Sequence, residues 1–151
     1  MWEINYLLSK ITVQDVMTKN VQTVSADTPI EEAARIMVDN KFGGLPVMRG
    51  DQIIGIITET DLFKAFLELM GAREAGVRVT AVISDKKGSL ARLTQAIAAS
   101  GGNFIAFGQF TGERENTRLV TLKESEITKE RLEQIITPVV DKIIDIRETC
   151  V

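Results

Sequence analysis

An apolar run rich in β-branched residues, residues 53–57, ends abruptly in the polar residues at 58–61. Beyond these, apolar side chains recur at helical spacing, at Leu62, Phe63, Phe66, Leu67 and Met70. A short apolar run followed by this spacing is typical of a buried strand that leads directly into a helix. The pattern therefore predicts that residues 58–61 form the N-terminus of a helix.

The polar residues at this junction can be interpreted as a ligand site or as a helix cap. Free backbone N–H groups and the helix dipole attract phosphate at a helix N-terminus, and the hydroxyls of Thr58 and Thr60 can donate to it. The carboxylate of Asp61 only accepts hydrogen bonds, which suits the two donors of a ribose diol. The alternative is that Thr60 or Asp61 merely caps the helix. Taken alone, the residues favour the cap.

A second helix is predicted upstream of this junction. Thr28-Pro29-Ile30-Glu31 has the form of a capping box with proline at the first helical position. An apolar stripe follows and predicts packing against a core. Gly43-Gly44 would end the helix and allow close approach of the backbone.

The order of these motifs resembles one cystathionine-β-synthase (CBS) motif over about residues 10–71. It runs from Val16-Met17-Thr18 through the motifs above to Leu45-Pro46-Val47 and the strand before Asp61. The resemblance implies binding of an adenine nucleotide or related adenosyl ligand. Asp61 would hold the ribose and Thr58 and Thr60 the phosphate. Backbone near Thr23 and Leu45, together with apolar Val21, Pro46 and Ile57, would enclose the adenine.

One departure from the motif bears on the ligand. Many nucleotide-binding CBS motifs place a basic residue where Gly43 or Gly44 stands here. Its absence removes a charge-assisted contact to phosphate, typically about 1.5–3 kcal/mol. We therefore expect a monophosphate or an adenosyl ligand before ATP.

The second half of the chain follows a different pattern. Residues 77–83 alternate as a strand, and a helix follows that Gly101-Gly102 stops. A hairpin at 103–122 comes next. Thr128 then caps another helix, which Pro138 weakens, and 142–147 closes the order as a strand. The predicted order is βαββαβ, which is the ferredoxin-like motif.

This half resembles an ACT domain through Ser84-Asp85-Lys86-Lys87-Gly88-Ser89-Leu90 and Gly102-Asn103-Phe104-Ile105. The resemblance implies an amino-acid site, with Asp85, Gly88, Ser89 and Leu90 in the first strand–helix loop. Asp85 can accept from an ammonium group, and N–H groups at 88–90 can receive a carboxylate. The alternative is that Asp85 starts a turn and Gly88 satisfies its geometry.

A CBS motif followed by an ACT domain resembles the acetoin-utilisation family of bacterial CBS–ACT proteins. That family usually carries two CBS motifs, whereas this chain shows one, and residues 1–10 resemble the linker between the two. We expect a linker at 1–10, a single CBS motif at 11–71, a hinge at 72–76 and an ACT domain at 77–151. The expected fold class is α+β, with a CBS-type αβ unit before a ferredoxin-like βαββαβ domain.

Composition excludes several functions. The chain of 151 residues has a formal charge of −3 and no basic cluster, so we expect no nucleic-acid partner. It lacks histidine, which removes histidine-based catalytic triads and the usual zinc sites. We predict neither catalytic nor metal-binding residues, and no cofactor beyond a regulatory adenine nucleotide. Without a membrane-spanning stretch or a signal peptide, and with Cys150 as its only cysteine, the chain fits a cytoplasmic location.

The expected function is that of a non-catalytic regulatory sensor. The CBS unit would bind the adenine nucleotide or adenosyl ligand, and the ACT unit an amino acid or none. A CBS sheet face normally packs on a partner motif, so Val16, Ile54 and Leu67 would be exposed in a single chain. We therefore expect a homodimer. The alternative is a structural oligomerisation module with vestigial pockets.

Overall fold

The computed structural model describes residues 4, 6 and 8–150 of the chain. It contains two compact units, one ending at Leu62 and the other beginning at Phe63. Residues 1–3, 5 and 7 of the predicted linker lie outside the described residues, as does the last residue of the predicted ACT range. The predicted boundaries at 10, 71 and 76 stay a prediction.

The first unit combines a three-stranded sheet with helices. Its elements are α1 (Val13–Val16), β1 (Val24–Ser25), α2 (Ile30–Asn40), β2 (Gly44–Arg49), β3 (Gln52–Thr58) and the start of α3 (Glu59–Leu69). Strand β2 lies in the centre, parallel to β1 and antiparallel to β3. The apolar stripe of α2 supplies Ala33 and Met37 to a small core with Val24 and Leu45.

Two local predictions for α2 are wrong. The helix begins at Ile30 with Pro29 as its N-cap, because the Thr28 hydroxyl accepts from the Ser25 N–H over 3.0 Å instead of capping. It ends at Lys41 in the left-handed conformation, before the two glycines. Gly44 instead lies at a close approach of two strands. A Cβ there would stand 3.1 Å from the Ile57 carbonyl oxygen on the neighbouring strand.

Strand β3 forms where it is predicted, but it is not buried in the single chain. Ile53, Ile54 and Ile56 are 70%, 46% and 65% exposed. None of these three side chains belongs to the small core formed with α2, so they are not covered, and β3 is also an edge strand that pairs on one side only. An exposed apolar edge strand is a liability that proteins usually cover.

The second unit has the predicted βαββαβ order. After the end of α3 come β4 (Gly76–Ser84), α4 (Ser89–Ala99), β5 (Phe104–Thr111), β6 (Thr117–Glu124), α5 (Lys129–Ile136), a 3-10 turn (Thr137–Val139) and β7 (Lys142–Thr149). The strands form one sheet in the order β5-β6-β4-β7, with every neighbouring pair antiparallel. The described residues thus form a mixed α+β structure with two sheets.

The core of the second unit lies between one face of this sheet and its helices. Strand β4 supplies every second residue to it, and α4 and α5 supply Leu93, Ile97, Leu132 and Ile136. Thr128 caps α5 as predicted, accepting from the Arg131 N–H. The intervening β4 side chains, Thr80 and Val82 among them, therefore point to the opposite face.

Membrane-spanning helices were not expected. Within the described part of the chain, none of the helices is long and apolar enough to cross a bilayer.

Candidate functional site

The predicted nucleotide residues gather at one end of the three-stranded sheet. The C-terminal end of β3 pairs with the N-terminal end of β2, Thr58 opposite Gly44 and Ile57 opposite Leu45. Strand β1 runs parallel to β2 with Val24 opposite Val47, which brings Thr23 to the same end. Pairing of the strands thus assembles residues from three separate stretches of sequence.

These residues differ in what they expose. The side chain of Leu45 is 1% exposed and belongs to the core, so only its backbone can meet a ligand. Ile57 is half-buried and packs against that core, and Pro46 is half-buried on β2. Val21 is 53% exposed and Thr23 is exposed. The available surface is therefore apolar at Val21 and Pro46 and polar along the backbone.

Thr58 and Asp61 form a capping box at the start of α3. The Asp61 Oδ2 atom accepts from the Thr58 N–H over 3.0 Å and from the Thr58 hydroxyl over 2.6 Å. In return, the Asp61 N–H lies 3.4 Å from the Thr58 hydroxyl oxygen. This reciprocal arrangement satisfies the free backbone donors of a helix N-terminus. The capping interpretation therefore has a concrete structure, with Thr58 at the N-cap.

Polar groups at this cap can still form hydrogen bonds with a ligand. The hydroxyl proton of Thr58 is directed to Asp61, whereas Thr60 is exposed. A carboxylate has about four acceptor positions, so Asp61 can cap and still accept from a diol. The Glu59 N–H donates to the Gly43 carbonyl oxygen over 3.2 Å, which ties the helix start to the beginning of β2.

The same box occurs a second time in the chain. At the start of α1, Asp15 Oδ2 accepts from the Thr12 N–H over 2.8 Å and from the Thr12 hydroxyl over 2.6 Å. The hydroxyl contact, followed by the N–H contact, lowers the pKa of Asp15 below its ordinary value. Thr12 and Asp15 are exposed and lie outside the predicted site. They therefore provide an internal control for capping alone.

In the second unit, the predicted amino-acid residue Asp85 has a cationic neighbour. Arg118 Nε on β6 lies 2.9 Å from Asp85 Oδ2, although the approach is not aligned as a hydrogen bond. The Asp85 N–H donates to the Asn116 carbonyl oxygen over 2.7 Å. Asp85 thus joins its loop to the β5–β6 hairpin. An ammonium ligand would share this carboxylate with Arg118.

The other three predicted loop residues have distinct environments. Gly88 adopts a φ of 84° with open space where a Cβ would stand, so only its conformation requires glycine. Ser89 is 3% exposed, and its hydroxyl accepts from Arg92 over 3.3 Å. Leu90 packs against the core. The side chains of Ser89 and Leu90 therefore face inward, and the Ser89 N–H donates to the Lys86 carbonyl oxygen over 3.1 Å.

Arg118 was missed by sequence reasoning. The signal that could have found it is the pairing of β4 with β6, which sets Ile83 opposite Arg118 beside the loop of Asp85. That register depends on the tertiary structure. No group of three or more cysteine, aspartate and glutamate side chains suited to a metal ion occurs among the described residues.

Comparison with protein families identifies the region that contains the three-stranded sheet. Residues 13–68 match the CBS domain. This part of the chain is a CBS domain. CBS domains are generally regulatory, non-catalytic modules. The match covers the capping box of Thr58 and Asp61, the three-stranded sheet and nearly all of α3. The predicted nucleotide-binding residues therefore lie within the CBS domain.

Curated relatives match a similarly limited stretch. The chain is 48% identical over 68 residues to a homoserine O-acetyltransferase from Methanosalsum zhilinae, which is 42% of this chain and 14% of that protein. It is 39% identical over 49 residues, 32% of this chain, to an inosine-5'-monophosphate dehydrogenase from Thermoplasma acidophilum, covering 10% of it. It is 37% identical over 71 residues, 44% of this chain, to the chloroplastic CBS domain-containing protein CBSX2 of Arabidopsis thaliana, covering 30% of it. Because these shares are small, the enzyme names describe those proteins and not this chain.

Proposed function

We propose that the chain is a regulatory sensor whose CBS domain binds an adenine nucleotide or a related adenosyl ligand. The observation that carries the proposal is the convergence of Thr58, Thr60 and Asp61 with the Thr23 and Leu45 backbone at one end of the sheet. Regulation requires that the ligand bind one conformational state of the protein more tightly than another.

The ligand would be held by distinct groups. Asp61 accepts from the ribose hydroxyls while it remains the capping residue of α3. The Thr60 hydroxyl donates to phosphate, and the Thr58 hydroxyl joins it when it turns away from Asp61. Val21, Pro46 and Ile57 enclose the adenine. With glycine at 43 and 44 and no basic residue there, AMP or an adenosyl compound is favoured over ATP.

The second unit extends the proposal. Its βαββαβ order and the Asp85–Gly88 loop support an ACT domain that binds an amino acid or none. A role in acetoin utilisation is supported by the resemblance to the CBS–ACT proteins of that pathway.

Association into a homodimer is also part of the proposal. Val16, Ile54 and Leu67 are 72%, 46% and 38% exposed, in line with an unpaired CBS motif. A second copy would cover the apolar strand β3 and the exposed apolar residues near it in the first unit.

Calorimetry with AMP and adenosine tests the nucleotide site. Asp61→Asn keeps the shape but removes the charge, and it should weaken AMP binding about tenfold or more. Asp15→Asn makes the same change in the second capping box and should leave affinity unchanged. Thr60→Val should weaken AMP but barely affect adenosine, which has no phosphate.

A structural oligomerisation module is the alternative function. It predicts that neither compound binds and that Asp61→Asn and Asp15→Asn change only stability. Melting temperatures of the apo variants separate this outcome from lost binding, because a cap contributes without ligand. Equal AMP affinity for wild type and Asp61→Asn would remove Asp61 from the proposal.

A further inference from the structure

A cavity of about 710 Å3 lies in the second unit against the sheet face opposite the helices, below the β5–β6 hairpin. We call it the hairpin cleft. Its floor is mainly apolar and includes Val82, Leu119 and Ile144, with Thr80 beside them. Leu119 and Lys142 are both register partners of Val82, so the floor crosses three strands. The volume lies within the range of about 300–1,000 Å3 that is usual for small-molecule sites.

Both walls of the hairpin cleft carry charge of both signs. The hairpin loop supplies Glu113 and Arg114, and the start of β7 supplies Asp141 and Lys142. None of these four side chains forms an ion pair or hydrogen bond with another described residue. Elsewhere on the same sheet, Asp145 is ion-paired with Arg78 and Arg147. The four charged side chains around the cleft therefore have no ion-pair or hydrogen-bond partner among the described residues.

The charge pattern restricts the occupant. A phosphate or another anion would meet a carboxylate on either wall, and a cation would meet a basic group. A neutral apolar compound would use the floor and leave the charged walls without partners. A zwitterion with an apolar body satisfies both walls and the floor.

The distance between the walls restricts the occupant further. One wall is the loop that leads into β6, the other is the start of β7, and β4 lies between β6 and β7. Neighbouring strands are about 4.8 Å apart, so the two walls are separated by roughly 10 Å. In a free amino acid, the ammonium and carboxylate groups flank a single Cα and cannot span this gap. An extended chain covers about 3.3–3.6 Å per residue, which corresponds to two or three residues.

We propose that the hairpin cleft is a binding site for a short peptide of two or three residues with free termini and an apolar side chain. The ammonium contacts a carboxylate on one wall, and the carboxylate contacts a basic group on the other. The apolar side chain lies on the floor at Ile144. This site is distinct from the Asp85 loop and does not rest on the function proposed above.

Calorimetry with the tripeptide Ala-Leu-Ala tests the proposal on the full chain. We expect saturable binding, weakened about tenfold by N-acetylation or by C-terminal amidation, since each removes one charge-assisted contact. Free leucine should bind much more weakly than the tripeptide. No heat at millimolar tripeptide, or blocked peptides that bind as well as the free one, would overturn it.

Three variants test whether the peptide binds in the hairpin cleft. Ile144→Glu places charge on the floor at a residue that is 53% exposed, and should abolish binding while the melting temperature is kept. Arg114→Gln and Asp141→Asn change exposed residues and should each weaken binding, whereas the matched changes Arg131→Gln and Asp51→Asn, also at exposed residues, should not. Binding that is lost in Asp85→Asn and kept in the cleft variants would place the peptide at the Asp85 loop and refute the cleft.

Discussion

The ammonium group of Lys123 donates to the carbonyl oxygen of Gly71 over 2.8 Å, and it also contacts the carbonyl of Glu74. Lys123 lies on β6 and is only 5% exposed. The segment that connects α3 to β4 was predicted to be a hinge of the chain. In the structure, a buried lysine fastens the turn at 71–74 to the sheet of the second unit.

Replacement of this lysine tests the attachment. Lys123→Met keeps the aliphatic stem but removes the side-chain donor to the Glu74 carbonyl and one of the two donors to the Gly71 carbonyl, which also accepts from the Glu74 N–H. This loss should cost about 1–3 kcal/mol in the free energy of unfolding. Urea denaturation measures the loss, and proteolysis should become faster at 71–75. Lys87→Met, at an exposed lysine, should change neither. Unaltered stability and cleavage in Lys123→Met would show that the contact does not hold the turn.

Glu124 is a second buried charged residue, with no exposed surface. Its carboxylate accepts from the N–H groups of Glu126 and Ile127 over 3.0–3.1 Å, and so shapes the turn before α5. Glu124→Gln introduces two amide donors with no acceptor assigned to them and should destabilise the protein by about 1–3 kcal/mol. Thermal or urea unfolding measures this effect. Exposed Glu126→Gln is the control, and equal stability of the two variants would contradict the role of Glu124.

The Asp15 carboxyl group gives a prediction for pH. Hydrogen bonds from Thr12 hold its pKa below the ordinary value of an aspartate. Because the folded pKa is the lower one, the stability from this contact is complete above the unfolded pKa and is lost as the pH falls through the folded pKa. A carboxyl titration by NMR should show the low pKa and its return toward the usual value in Thr12→Val. An unchanged pKa in that variant would exclude the hydroxyl as its cause.

Pairing of chains can be tested on strand β3. We expect light scattering of the wild type to give twice the chain mass of 16.7 kDa at micromolar concentration. Ile56→Glu places a charge on the exposed apolar strand and should give the single-chain mass. Val38→Glu, at an apolar residue on α2 that is 76% exposed, should keep the dimer. A wild type that is monomeric would refute the pairing.

Gly88 offers a test of backbone conformation without a steric clash. Its φ of 84° is unfavourable for other residues, although a Cβ would meet open space. Gly88→Ala should therefore destabilise the second unit by about 1–2 kcal/mol, and Gly88→Asn by less, because asparagine tolerates the left-handed region. Urea denaturation compares the two. Equal stability of both variants and the wild type would show that the loop can change conformation freely.

Local patterns in the sequence were sufficient for much of the fold. The apolar run before Thr58 predicted both β3 and the start of α3, and alternation after Gly76 predicted β4. Thr128 could be predicted as the N-cap of α5 because a cap depends on neighbouring residues only. The CBS domain followed from the combined order of such motifs, and the comparison with known families confirmed it.

What the sequence by itself determined is the type and order of the elements, since periodicity and caps are local. The tertiary structure decided which distant residues meet: Arg118 beside Asp85, Lys123 on Gly71, and the three strand ends around Thr58. It also decided that the β3 isoleucines are exposed in the single chain and that Thr28 bonds to Ser25 instead of capping α2. These outcomes depend on strand register and on competition between hydrogen-bond partners, which the spacing of residues along a chain does not specify.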